Sequence, residues 1–298
     1  MFNSFSKSIL FAPLLSLLLG GVLVVSCGDD DNEEDVQTSS SDQNGGNGSS
    51  DNGNGGNGSS DNGNGGTPAF DGKDKVYTVN GVSFTMIAVK GGTFQMGSDD
   101  GYEWEKPVHQ VTLSDYYIGE TEVTQELWNA VMGSNPSHFT GNMQLPVEMV
   151  SWNDCQTFIS RLNELTGKTF RLPTEAQWEY AARGGNKSKG YIYSGSNEID
   201  EVAWDWDFQG IPMHPVKTKV PNELGIYNMS GNVIEWCSDW YGPYSSAAQT
   251  DPTGPSTGSN RVRRGGGWGS GATDYRVASR FSYSPTYTAG DLGFRLAH

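Results

Sequence analysis

Leu224-Gly225-Ile226-Tyr227-Asn228-Met229-Ser230-Gly231-Asn232-Val233-Ile234-Glu235-Trp236 is the run around which the rest of the chain reads. It sets small polar acceptors and turn-forming residues beside a single carboxylate. Asn228, Glu235 and the carbonyls of Gly231 and Val233 make up the mixed oxygen set that a hard cation such as Ca²⁺ accepts. The same run also reads as a tight Gly-Asn turn between two buried strands, since Gly and Asn both tolerate positive φ. Downstream come Arg264-Gly265-Gly266-Gly267-Trp268 and then Gly293-Phe294-Arg295-Leu296-Ala297-His298.

Working outward, further runs stand in a fixed order. They include Gly92-Thr93-Phe94-Gln95-Met96-Gly97-Ser98, Glu105-Lys106-Pro107-Val108-His109, Glu122-Val123-Thr124 and Val150-Ser151-Trp152. The longest is Arg171-Leu172-Pro173-Thr174-Glu175-Ala176-Gln177-Trp178-Glu179-Tyr180-Ala181-Ala182-Arg183-Gly184-Gly185. Together they resemble the sulfatase-modifying-factor family, whose founding members generate formylglycine on sulfatases, over residues 76 to 298. The resemblance implies an α+β fold of modified C-type-lectin type, with much irregular chain.

Local patterns place the regular elements. Val82 to Val89 alternates like a strand and is ended by Gly91-Gly92. Thr124 opens a short helix carrying Leu127, Trp128 and Val131 on one side. A second helix runs from Ser151 to about Leu165, with Cys155, Phe158, Ile159, Leu162 and Leu165 on one face and Gly167 to close it. A third begins at Thr174, where Gln177 completes a capping box, and stops at Gly184-Gly185.

The first 27 residues read as an address. Lys7 precedes an apolar run from Ile9 to Val25, too short and too closely followed by acids for a spanning helix. Val24-Val25-Ser26-Cys27 resembles a bacterial lipobox, in which Cys27 is lipidated and becomes the mature amino terminus; several acyl chains on one residue anchor durably. Residues 28–70 are a Gly/Asn/Ser/Asp tether in which Asn44 to Gly53 is repeated unchanged as Asn54 to Gly63. With almost nothing apolar to bury, it is expected to stay disordered. Asp29, Asp30 and Asp31 directly after Cys27 resemble a signal for export to the outer face, so the expectation is an outer-membrane lipoprotein exposed on the cell surface.

Of the formal charge of −16, the segment from Asp71 onward carries −8, from 26 acids and 18 bases. That balance disfavours nucleic acid and anionic membrane, which need clustered Lys and Arg. The one basic cluster, Arg261, Arg263 and Arg264, is expected to pair with carboxylates inside the fold. Contact with the membrane is expected through the lipid anchor alone, and the folded domain is expected to be a monomer.

Catalysis finds little support. The chemistry of the founding family members depends on a close cysteine pair after the RGG run that binds copper. Here that segment, Trp268 to Arg276, contains no Cys, so no copper is expected. Cys155 and Cys237 remain, either as a disulfide or as two buried thiols. The four histidines, His109, His138, His214 and His298, form no pair at helical ligand spacing. What the resemblance does carry over is a structural Ca²⁺ held by Asn228, Gly231, Val233 and Glu235. The alternative to a binding protein is a formylglycine-generating, sulfatase-maturation oxidoreductase that has moved its active groups.

The binding reading centres on Gly269 to Asp291. This window uses Gly, Ser, Ala, Thr, Asp, Tyr, Phe, Arg, Val and Pro, and lacks Lys, Glu, Gln, Met and Trp. That is the vocabulary of antibody paratopes: rigid Tyr anchors among adaptable Ser, Gly and Asp. It also resembles the variable region of proteins targeted by diversity-generating retroelements, which mutate adenines in Asn codons. Every residue type in the window is reachable from such a codon through its first two bases. The frame around it, Arg264-Gly265-Gly266, Trp268, Arg276-Val277-Ala278, Arg280 and Gly293-Phe294-Arg295, is kept. Ser270, Asp274, Tyr275, Phe281, Tyr283, Tyr287 and Asp291 are the expected contacts to an unknown protein or glycan ligand.

Overall fold

The computed structural model describes residues 70–204 and 213–298; the expected signal peptide, lipidated Cys27 and the tether up to residue 69 lie outside the described residues. Phe70, placed by sequence at the end of the tether, already packs on Tyr117, ring to ring at 5.1 Å.

Regular structure is sparse and short. Strands β1 (Lys75–Val79) and β2 (Val82–Val89) form a hairpin whose two-residue turn, Asn80-Gly81, has positive φ at both positions, the geometry that matches strand twist. Strand β5 (Tyr116–Gly119) pairs antiparallel with the other edge of β2. A second sheet joins β3 (Gly92–Met96), β4 (His109–Leu113) and β7 (Gln249–Thr250). The third, in spatial order β10-β6-β8-β9, is built from β6 (Ile234–Trp240), β8 (Arg261–Arg264), β9 (Arg280–Tyr283) and β10 (Leu292–Gly293). It carries the end of the decisive run, in β6, and part of the window expected to bind, in β9.

The three longer helices begin where capping chemistry directs. In α1 (Gln125–Met132) the Thr124 hydroxyl accepts from Leu127 N. In α2 (Trp152–Thr166) Ser151 and Asp154 cap each other reciprocally, and Gly167 closes the helix at φ 64°. Thr174 and Gln177 do the same for α3 (Glu175–Ala182), and a single turn, α4 (Ile199–Val202), completes the set. The inner face of α2 is Cys155, Phe158, Ile159 and Leu162. Leu165, expected there too, is exposed and stands outside the core cluster that the other four join.

Trp128 of α1 stacks on Phe158 of α2 at 5.0 Å, and Phe294 meets both rings edge-on. Phe294 is held there by its backbone: the final residues zip onto β5 and its surroundings through Gly119 N to Leu296 O, Val123 N to Phe294 O, and a reciprocal pair between Arg171 and Ala297.

Three buried guanidiniums tie the irregular chain to this core. Arg295 donates to both oxygens of Glu235 at 2.6 Å, and to the carbonyls of Gly119 and Tyr227. Arg280 grips Glu175 at 2.6 and 2.7 Å. Arg264 pairs with Glu179, whose other oxygen accepts from Arg183 and Gly97 N. Each is a planar, bidentate-capable donor in a dry site, where Arg is the cation best tolerated. Removing one partner strands a buried charge, so Arg295→Ala is expected to lower unfolding free energy by about 3–5 kcal/mol. Arg295→Met combined with Glu235→Leu should recover much of that loss. Urea denaturation of the two variants checks both; equal stability of Arg295→Ala and parent would remove the ion pair from the account.

Candidate ligand-binding face

Strand alternation decides what the window presents. Across β8 and β9, Arg263 faces Phe281 and Arg261 faces Tyr283, while Val262 faces Ser282 and Arg264 faces Arg280. Successive side chains point to opposite sides. Arg264 and Arg280 therefore enter the core, and Arg261, Arg263, Phe281 and Tyr283 share the outer side. The expectation that all three clustered arginines pair with interior carboxylates holds for Arg264 alone. Arg261 lies instead between the rings of Trp152 and Trp240, at 3.9 and 3.5 Å, and donates to Ser238 O.

The seven expected contacts divide. Tyr283 is 42% exposed and stacks on half-buried Tyr287 with ring centroids 3.7 Å apart. Phe281 is half-buried, edge-on to Tyr102, which stacks in turn on exposed Trp104. Asp274 accepts from the Tyr102 hydroxyl at 3.1 Å. Asp291 is half-buried, and burial pushes its carboxyl up while Arg263 opposes the rise. These five gather on one side of the domain around Arg263, over whose guanidinium Tyr283 lies at 5.2 Å.

Tyr275 does not belong with them: it is fully buried. Its hydroxyl donates to the carbonyls of Gly267 and Ser270, and its carbonyl accepts from the Ser230 hydroxyl. Its ring also occupies the space a Cβ would need at Gly266, where φ is +68°. Tyr275 is therefore a framework residue, corrected from contact. Ser270 is half-buried and its hydroxyl accepts from Gly267 N, so it closes the loop from within. Arg263, Tyr102 and Trp104 were missed as face residues. The alternating spacing of Arg261 and Arg263 against Arg264 was the available signal for the first; nothing local marks the other two.

All four residues of the expected calcium set, Asn228, Gly231, Val233 and Glu235, are buried. Glu235 is committed to Arg295 and also accepts from Trp178 Nε1 at 2.7 Å, leaving about one of its lone-pair directions. Asn228 and Asn232 both have positive φ, and their amide nitrogens donate to the two oxygens of Glu122, a residue sequence reading did not single out. Asn228 Oδ1 is buried with no partner. Beside it Glu122 is fully buried, and burial pushes its carboxyl up to about 8 with the Arg295 guanidinium opposing. Asn228 Oδ1 is thus an open acceptor beside an acid that burial keeps protonated, while Arg295 already neutralises Glu235. Among the described residues no three His, Cys, Asp or Glu side chains converge as a metal cluster.

Elsewhere, a cleft of about 530 Å³ is lined by His109, Glu175, Asp239, Tyr244 and Arg280. Its polar groups are already engaged: Arg280 and the Tyr244 hydroxyl donate to Glu175, and Asp239 accepts from Glu175 N. Burial pushes Asp239 up to about 7. Cys155 and Cys237 are both free and buried, so the disulfide alternative is not realised.

A C-type-lectin-like α+β domain, with buried Arg–Glu pairs framing a Gly-rich outward loop, defines a sulfatase-modifying-factor-type domain. The chain belongs to the family of the sulfatase-modifying factor enzyme 1-like domain, which matches residues 78–298. Among its relatives is the chaperone protein LppX of Paenibacillus barcinonensis, 36% identical over 265 residues, covering 71% of this chain and 87% of that one. The formylglycine-generating enzyme of Streptomyces coelicolor is 34% identical over 284 residues, covering 71% and 88%. Among solved structures, Treponema denticola variable protein 1 superposes with a TM-score of 0.70 at 38% identity, covering 78% of this chain and 99% of that one. PvdO from Pseudomonas aeruginosa superposes at 0.62 with 25% identity, covering 75% and 97%.

The raised carboxyls give a pH signature. Folded Glu122 and Asp239 keep protons that the unfolded chain loses near pH 4, so the native state binds more protons between about 4 and 8. Stability measured in chelator is expected to fall as pH rises through that window and to level off above it. Glu122→Gln should flatten the portion between about 7 and 8; an unchanged slope would show that Glu122 ionises freely in the fold.

Proposed function

We propose that this chain is a noncatalytic binding protein, displayed at the cell surface, that takes a protein or glycan on the face around Phe281, Tyr283 and Tyr287. The observation that carries the reading is the outward placement of these aromatics, from a paratope-like window, on a frame of buried ion pairs. An exposed Tyr283 with Phe281 and Tyr287 half-exposed beside it is otherwise a solubility liability. The free thiols support a noncatalytic role: burial pushes both Cys155 and Cys237 well above the ordinary range, whereas a reactive cysteine needs an accessible thiolate. Lipidation of Cys27 would supply the anchor, and the tether its reach from an outer membrane.

The likeness to a variable protein supports the sharper part of the proposal, that a diversity-generating retroelement rewrites this window. The genome decides it: a neighbouring reverse transcriptase with an adenine-rich copy of codons 264 to 295 is the expected finding. An intact genome lacking both would leave a fixed binding face and no diversification.

We also propose one structural Ca²⁺ held through Asn228, Glu235 and the carbonyls of Gly231 and Val233, with Glu122 beside it giving up its proton as the cation binds. A metal that binds only the folded state stabilises it by mass action. Calcium is expected to raise the melting temperature of the parent and to leave Asn228→Ala unmoved. A parent indifferent to both calcium and chelator has no such site.

A further inference from the structure

Arg263 differs from every other arginine of the frame. Arg261, on the same side of the same strand, is held by two indole rings and a carbonyl. Arg264, Arg280 and Arg295 each meet a carboxylate, as does Arg276 with Glu105. Among the described residues no hydrogen bond or salt bridge reaches the Arg263 guanidinium: its Nε is unpartnered, as are those of Arg261 and Arg264, but unlike theirs its terminal nitrogens meet no protein acceptor. Burial pushes its pKa down, and Asp291, Tyr287, Tyr283 and Asp274 act on it only at a distance. A half-buried guanidinium with no protein acceptor in its fork is open to one from outside.

The environment narrows what could fill that fork. A carboxylate matches it with two parallel hydrogen bonds. A phosphate brings a second negative charge close to Asp274 and Asp291, on a domain that already carries −8, so the singly charged group is favoured. Strand β9 lies at the edge of its sheet, with no strand among the described residues paired along its outer side; it carries Phe281 and Tyr283, with Tyr102 and Trp104 beside them. An edge of this kind can accept an extended polypeptide through its main chain, which a glycan cannot use. Arg and Tyr are also the residues most often found at the energetic centre of protein interfaces.

Resting on the binding-face reading above, we propose that Arg263 is the anchor of that face and receives an Asp or Glu side chain of an extended partner polypeptide laid across Phe281, Tyr283 and Tyr287.

The test uses the purified full-length chain and a random-peptide phage library. Wild-type protein is expected to enrich peptides with an acidic residue at a fixed position. For a synthetic peptide of the winning sequence, Arg263→Gln should weaken binding tenfold or more. Arg263→Lys should restore little of it, since an ammonium lacks the planar fork. Changing the acidic residue to its amide should cost as much as Arg263→Gln, and the two changes together no more than either alone. An unchanged melting temperature in Arg263→Gln keeps the fold out of the result. Peptides that lose affinity in Tyr283→Ala but show no acidic preference, and bind Arg263→Gln as tightly as wild type, overturn this proposal and leave the face in place. Peptides indifferent to both Tyr283→Ala and Arg263→Gln overturn the face as well. A protein that enriches no peptide overturns the polypeptide ligand, and binding of acidic or phosphorylated glycans instead would redirect the anchor to that class.

Discussion

The structure depends on placing charge in its interior and neutralising it there. Arg264, Arg280 and Arg295 are almost completely excluded from water, and so are the carboxylates of Glu179, Glu175 and Glu235 that they meet. Such pairs add little net stability over a hydrophobic substitute, because desolvation offsets most of the attraction. What they contribute here is direction. Each guanidinium also donates to carbonyls of irregular chain: Arg295 to Gly119 and Tyr227, Arg280 to Trp104 and Gly242, Arg264 to Ala278. A domain with short strands and four modest helices has few ladders to position its loops. The arginines do that positioning, with donors whose geometry is fixed by a planar fork.

The same economy of donors explains the region of the decisive run. Two carboxylates, Glu122 and Glu235, share the neighbourhood of one guanidinium, and Arg295 satisfies only Glu235. The remaining acid is held by two side-chain amides, which leaves Asn228 Oδ1 without a donor. Burial answers the imbalance in another way, by keeping the Glu122 carboxyl protonated up to about 8.

Local chemistry made the helices legible. Thr124, Ser151 with Asp154, and Thr174 with Gln177 announce their helix starts in sequence and cap them in the fold. Pairing across long separations was not legible. Nothing local indicates that Arg295 returns to Glu235, or that Tyr102 reaches Asp274 across the fold. Composition marked the binding window, yet it could not separate Tyr275, which looks inward, from Tyr283, which looks outward, because Gly- and Ser-rich chain carries no hydrophobic period. Leu165 shows the converse error: the period was right, and the core simply ended before it.

The way Tyr275 holds its loop has a consequence for heredity. Its hydroxyl grips the carbonyls of Gly267 and Ser270, and every amino acid supplies the same carbonyl. The inward residues of the window, from Tyr275 to Arg280, find their partners in main chain or in distant acids. The outward ones are less uniform: Tyr287 packs partly on the core and Asp274 holds the Tyr102 hydroxyl, while the Tyr283 ring, 42% exposed, leans on Tyr287 and Arg263. Position 283 is therefore the place in this stretch where a new side chain would disturb the frame least.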